Sequence, residues 1–226
     1  MANNPINAID PDGREIVIVH RNSSLKYENG KLYNENGSRY TGRVSGFLQK
    51  TLNALGKISQ SGEGLNMITT LESSNNTFKI KEGSSQFNES NRYKAYANQI
   101  ETDPQQSRVK DLGLDLDGGS GGVIQWNTSG IPIQTKDGMK RDAVIDLAHE
   151  MFHALDANNG MLDDRRESGV KRSEWQATYR ENILRKELGK PLRTNYRHSI
   201  DENGIKRGIE PSMLDSSNKN VKPVWY

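Results

Sequence analysis

The chain has 226 residues, 32% of them hydrophobic and 27% charged, and it contains no cysteine, which excludes disulfides, thiol nucleophiles and thiolate metal sites. Its 31 Lys and Arg against 29 Asp and Glu leave a net charge of +2, which argues against nucleic acid as a partner, because phosphate contacts demand concentrated positive charge. No apolar run reaches the length of a membrane span, and residues 1–10 lack the basic and apolar regions of a signal peptide.

In chain order, residues 3–13 are rich in turn formers, with Ile6 and Ile9 as their apolar positions. Residues 15–20 form a compact β-branched run and are expected to be a strand ending at His20, a structural position. Asn29-Gly30 between residues 25–27 and 31–33 is a strong hairpin signal. Val44, Phe47, Leu48, Leu52, Leu55 and Ile58 follow helical spacing, and residues 64–71 form a shorter helical candidate. Residues 78–80 alternate like a strand. Residues 111–122 read as a loop, since Asp115 and Asp117 lack the regular acidic spacing and closing Glu of a calcium loop. A strand over 123–127 and helices over 141–157 and 173–188 complete the series. For the last helix, Ser173 with Gln176 suggests a capping box, and Gly189 with Pro191 marks the stop.

The helix over 141–157 carries His149-Glu150-Met151-Phe152-His153. Residues four apart share a helix face, so His149 and His153 present two imidazoles to one point, as zinc requires of two ligands. Glu150 is placed to take a proton from a water that attacks a peptide carbonyl. Val144, Leu147, Ala148, Met151, Phe152 and Leu155 form a core-facing stripe, while Asp146, His149, Glu150, His153 and Asp156 fall opposite. Asp146 and Asp156 are expected to face solvent, or else to orient the imidazoles.

A catalytic zinc needs a third protein ligand. A metzincin-type extension would place Gly at 156 and His at 159, and the chain has Asp156 and Asn159 instead. Glu174, on the following helix and 21 residues after His153, is the preferred third ligand. Asp163 and Asp164 are the alternatives, and Glu181 is read as a surface acid or a partner of the ligands. Tyr196 and His198 are candidate donors to an oxyanion.

Two resemblances follow. From about residue 119, Val123-Ile-Gln-Trp-Asn127, His149-Glu-Met-Phe-His153-Ala-Leu-Asp156 and Glu181-Asn182-Ile-Leu-Arg185-Lys-Glu-Leu-Gly189-Lys-Pro-Leu-Arg193 resemble the NleD-like zinc effector proteases that bacteria inject into host cells. Residues 3–13, with Pro5 and Asp10-Pro11-Asp12-Gly13, resemble the closing motif of an RHS-repeat core, a shell around a C-terminal toxin. Arg14 stands where many members of that family have Leu. Together they imply an RHS segment over 1–13 and an α+β zincin-type toxin domain over 14–226. Such a domain has a small N-terminal sheet, an edge strand and an active-site helix. They further imply a Zn2+ cofactor, a protein or peptide substrate, a possible cognate immunity protein, and secretion or delivery into a target cell with the parent shell. The order of elements in zincins makes 123–127 the expected edge strand, with Val123, Ile124, Gln125 and Trp126 binding substrate and Trp126 more readily packed beneath the strand. The alternative is a non-catalytic binding tip with a structural metal. Such sites use four protein ligands and no free carboxylate beside the metal, so Glu150 favours catalysis.

Overall fold

The computed structural model describes residues 15–21, 23–200, 202 and 206–226. The RHS-like segment over 1–13 therefore lies outside the described residues. Strand β1 (Glu15–His20) leads into the hairpin of β2 (Ser23–Glu28) and β3 (Lys31–Tyr33). Asn29 and Gly30 both take positive φ, 48° and 75°, the backbone a two-residue hairpin turn requires. Helix α1 (Phe47–Ile58) begins after Gly46, later than the apolar spacing from Val44 suggests. Helix α2 (Gly62–Glu72) is capped by the Ser61 side chain, which accepts from the Gly64 N–H. Strands β4 (Thr77–Glu82) and β5 (Gln86–Glu89) follow, then three short helices, α3 (Arg92–Ala95), α4 (Ala97–Thr102) and α5 (Ser107–Lys110). Strand β6 (Gly122–Trp126) precedes a hairpin, β7 (Pro132–Thr135) and β8 (Gly138–Arg141). Helix α6 (Ala143–Asn158) comes next, then the short ribbon β9 (Arg166–Glu167) and β10 (Val170–Lys171) and helix α7 (Arg172–Glu187). Strands β11 (Arg193–Ile200) and β12 (Lys206–Ser212) end the series.

The expected mixed α+β architecture is present, with more sheet than the small N-terminal one expected. A six-stranded sheet runs β3-β2-β1-β4-β6-β5, with β1, β4 and β6 mutually parallel and the outer pairings antiparallel. A second, four-stranded sheet runs β12-β11-β7-β8. The unforeseen strands are polar: Gln-Phe-Asn-Glu in β5 and Arg-Thr-Asn-Tyr at the start of β11 carry no β-branched run, so pairing partners rather than intrinsic preference make them strands. The core joins Ile16, Ile18, Phe78, Ile80 and Ile124 of the first sheet to Leu48 and Leu55 of α1, Met67 and Leu71 of α2, and Met151, Phe152 and Leu155 of α6.

Two expectations are corrected. Strand β6 is not an edge, because it is hydrogen-bonded to β4 on one side and β5 on the other, and the edge strand is β5. The backbone of Val123, Ile124, Gln125 and Trp126 is therefore engaged within the sheet and cannot accept a substrate strand. Trp126 packs in the core, 2% exposed, with its indole N–H donating to the Ala143 carbonyl at 2.8 Å. Second, α6 is buried on all its faces from Ile145 to Ala157. Asp146 and Asp156 are therefore buried, not solvent-facing, because α7 and its neighbours cover the polar stripe of α6. The glycine-rich loop before β6 lies against the C-terminal end of α6. There the Ser120 N–H donates to the Ala157 carbonyl at 2.9 Å, and a Cβ at Gly119 would collide with the Asn158 carbonyl.

Candidate metal centre

Helix α6 starts at the Asp142 N-cap, whose carboxylate accepts from the N–H groups of Val144 and Ile145 at 3.2 and 3.3 Å. This fixes the phase in which His149 and His153 leave the same face. Their rings stand edge to face, centroids 4.9 Å apart. Helix α7 is held by its first turn, though not by the expected capping box. Lys171 is the N-cap, and Ser173 lies inside the helix, where its hydroxyl accepts from the Asp163 N–H at 2.7 Å and donates to the Asp163 carbonyl at 2.8 Å. That clasp sets the next residue, Glu174, against the histidines. Its position in the first turn also suits a carboxylate, because the helix dipole is positive there.

One Glu174 oxygen lies 3.2 Å from His149 Nε2 and 3.3 Å from His153 Nε2. Ligand atoms from these three residues all lie within 4.8 Å of one another. Two imidazole nitrogens and a carboxylate oxygen are the donor set that suits zinc, so the residues present fit the metal. The alternatives for the third position are engaged elsewhere. Asp163 pairs with Arg165 at 2.5 Å and with Arg172 at 3.6 Å, and Asp164 takes Arg92 at 2.5 Å and Gln99 at 2.7 Å.

The residue behind His149 is Glu181, one to two turns along α7 from Glu174. Its carboxylate lies 3.0 Å from His149 Nδ1, receives Arg185 Nε at 2.7 Å and receives Arg193 Nη1 at 3.1 Å. Burial raises the affinity of Glu181 for a proton, but Arg185, Arg193 and His149 outweigh it and hold the group well below the usual carboxylate range. A carboxylate so firmly ionised can only accept, so Nδ1 carries a proton, and Nε2, turned toward Glu174, is the nitrogen left for a metal. Arg185 and Arg193 were not singled out from sequence as parts of the site. The spacing of Glu181 and Arg185, four residues apart on one helix face, is a signal that could have shown the first of them.

Burial pushes the two imidazoles down, but the carboxylates around them prevail, raising His153 and bringing His149 to about 10. The site therefore favours positive charge, which a bound cation would supply. Glu150 is raised by burial, opposed by His149 and His153. Asp146 accepts from the Ser85 hydroxyl and Asp156 from the Tyr226 hydroxyl at 2.7 Å, so neither bonds an imidazole. Burial and the neighbouring Glu174 carboxylate keep the Tyr196 phenol protonated. The side chain of His198, the other candidate donor, lies outside the described residues.

These groups open into a cleft of about 260 Å³. Its lining includes His149, Glu150, His153, Glu174 and Tyr196, together with Gln86, Phe87 and Glu89 of the edge strand β5. The Ser90 N–H donates to the Gly121 carbonyl at 2.9 Å, which fixes the alternation of this antiparallel ladder. Gln86 and Asn88 thus bond inward to β6, and Phe87 and Glu89 turn their N–H and C=O groups to the open edge.

Comparison with known families bears on this geometry. A family model described as "Effector protein", Peptidase M91, matches residues 34–196. Among solved structures, the chain is similar to the Salmonella zinc metalloprotease effector GtgA, with 18% identity and a TM-score of 0.37 over 67% of this chain and 72% of that one. A search among curated proteins returned no match.

Proposed function

Since the chain belongs to the Peptidase M91 family of effector proteins, we propose that it is a zinc-dependent endopeptidase acting on a protein of the cell that receives it. The observation that carries this reading is the convergence of His149, His153 and Glu174, ligand atoms within 4.8 Å of one another, beside a buried Glu150 in an open cleft. Three donors and a free carboxylate suit a catalytic metal better than a structural one.

His149, His153 and Glu174 would hold the ion, which when bound supplies Lewis acidity toward a water molecule and the scissile carbonyl. Glu181 keeps the His149 ring in one tautomer and orientation. Glu150 takes the proton of the attacking water on its carboxylate and hands it to the leaving amine nitrogen, a task that its raised proton affinity suits. Tyr196, held protonated, donates its hydroxyl to the developing oxyanion. The outward N–H and C=O groups of Phe87 and Glu89 receive an extended substrate as an added strand, so main-chain bonds place the scissile bond largely regardless of side chains. The RHS-like motif in residues 3–13 extends the reading to a toxin tip carried by a larger shell, with an immunity protein in the producing cell.

The test is a proteome digest with zinc supplied, read by mass spectrometry for new peptide termini. Glu150→Gln should keep zinc and fold while hydrolysis falls by roughly 10²–10⁴-fold, and Glu174→Ala should lose zinc. Full hydrolysis by Glu150→Gln would overturn the mechanism.

A further inference from the structure

At 3.6 residues per turn, Tyr179, Ile183 and Lys186 project from the side of α7 opposite Glu174 and Glu181. They line a groove of about 930 Å³, larger than the cleft at the metal centre and sharing none of its residues. Its floor is apolar, formed by the half-buried side chains of Tyr179, Ile183, Pro191 and Leu192. Its rim is basic, with Lys136, Lys186 and Lys219 exposed and Lys190 half-buried.

The pairing of these charges separates the rim into two kinds. Lys190 is neutralised by Asp142 at 2.6 Å. The Lys136 ammonium donates to the Asn218 carbonyl at 2.9 Å, a contact that leaves its charge uncompensated. Among the described residues no carboxylate forms an ion pair with Lys136, Lys186 or Lys219. The one acid in the lining, Glu187, turns its carboxylate away to the N-terminus of α2, accepting from the Glu63 N–H at 3.0 Å. In a chain of net charge +2, three uncompensated lysines around one apolar floor are a local concentration of positive charge.

We propose that this groove docks an acidic segment of a partner protein, seating an apolar side chain over Tyr179 and Ile183 between carboxylates that meet Lys136, Lys186 and Lys219. The charges steer and orient the segment, and the apolar anchor supplies the short-range contact. A concave, apolar-floored groove fits a chain segment better than a lipid surface, which calls for a protruding face. Binding here involves no group of the metal centre, so the proposal stands or falls separately from the catalytic reading.

The test uses the full chain and a fluorescein-labelled synthetic peptide of alternating Asp and Leu, followed by anisotropy. The same peptide with Asn for Asp is the control, and phosphatidylserine vesicles form a third arm. The expected result is saturable binding of the acidic peptide, weakening as salt rises from about 0.05 to 0.3 M. The Asn peptide should bind far less. The triple variant Lys136→Glu/Lys186→Glu/Lys219→Glu, altered only at exposed positions, should keep its melting temperature and bind the acidic peptide at least roughly tenfold more weakly. Equal binding of both peptides, undiminished binding by the triple variant, no binding at about 1 mM peptide, or binding to vesicles alone would each overturn the proposal.

Discussion

Replacing Glu181 by Gln would remove the one negative charge that faces three partners at once. The carboxylate is 1% exposed, with Arg185 Nε at 2.7 Å, Arg193 Nη1 at 3.1 Å and His149 Nδ1 at 3.0 Å. The amide leaves two buried guanidiniums without a counter-charge, a change that typically costs about 3–5 kcal/mol. At roughly 2–4 °C per kcal/mol for a chain of this size, Tm should fall by about 6–20 °C. His149 also loses the acceptor that fixes its ring, so zinc affinity should fall by roughly 10–100-fold. Thermal unfolding and zinc competition against a chromophoric chelator measure the two effects separately. The triple variant Glu181→Gln/Arg185→Met/Arg193→Met removes the stranded charges as well. It should recover most of the stability and none of the zinc affinity. Wild-type zinc affinity in the single variant would refute the orienting role, and recovery of affinity in the triple variant would reduce the cluster to a structural one.

Three further outcomes follow from the geometry. Glu89→Pro removes an outward N–H from β5 and should lower kcat/KM by roughly tenfold with little change in Tm; Glu89→Gln controls for the charge, and Asn88→Pro, which breaks a ladder bond, should destabilise the fold instead. Tyr196→Phe should lower kcat by roughly 10²-fold with zinc content intact, and an unchanged kcat would place the oxyanion donor elsewhere. Asp156 is raised to about 6 by burial, against the opposing pull of the Tyr226 hydrogen bond, Arg180 and His153. Its proton is therefore held more tightly in the folded than in the unfolded chain, and stability should fall as pH rises from about 4 to 6, by up to about 3 kcal/mol. Asp156→Asn should flatten that segment in urea titrations and be the more stable form at neutral pH; parallel curves for the two proteins would show that Asp156 is not the cause.

The helix of His149 and His153 was legible because two signals coincided on it, an apolar stripe of period 3.6 and a run of ligand types on the opposite side. Glu174 was legible through its separation from His153 and its place on a bounded helix. Periodicity could not show that the ligand side of α6 is itself covered, since Asp146 and Asp156 are the residue types of an exposed face. Their burial comes from α7 and from partners far along the chain, Ser85 for Asp146 and the Tyr226 hydroxyl for Asp156. The edge strand was misassigned for a related reason. Gly-Val-Ile-Gln-Trp looks like a strand on its own, whereas Gln-Phe-Asn-Glu becomes one only by pairing with it. The more evident strand is therefore the interior one, and the polar strand is the edge, as solvent exposure favours. Ser173 misled as a cap because its hydroxyl serves a loop ten residues back instead.

The parallel centre of the first sheet has a consequence for how the chain acquires its structure. Glu15 pairs with Thr77, and Phe78 with Gly122, so neither parallel pairing at the centre of that sheet can form through a local turn. Contacts across such separations make a slow search, because loop-closure entropy is lost before they form. The histidines and Glu174 are only 21 and 25 residues apart, on two helices joined by a short ribbon. During refolding, the α6–α7 pair can therefore assemble its ligand cluster while the sheet is still open, and metal captured at that stage would act as a nucleus on which the remaining strands close. On this view zinc in the refolding buffer should speed the slow phase, and a chelator should retard folding more than it lowers the final stability.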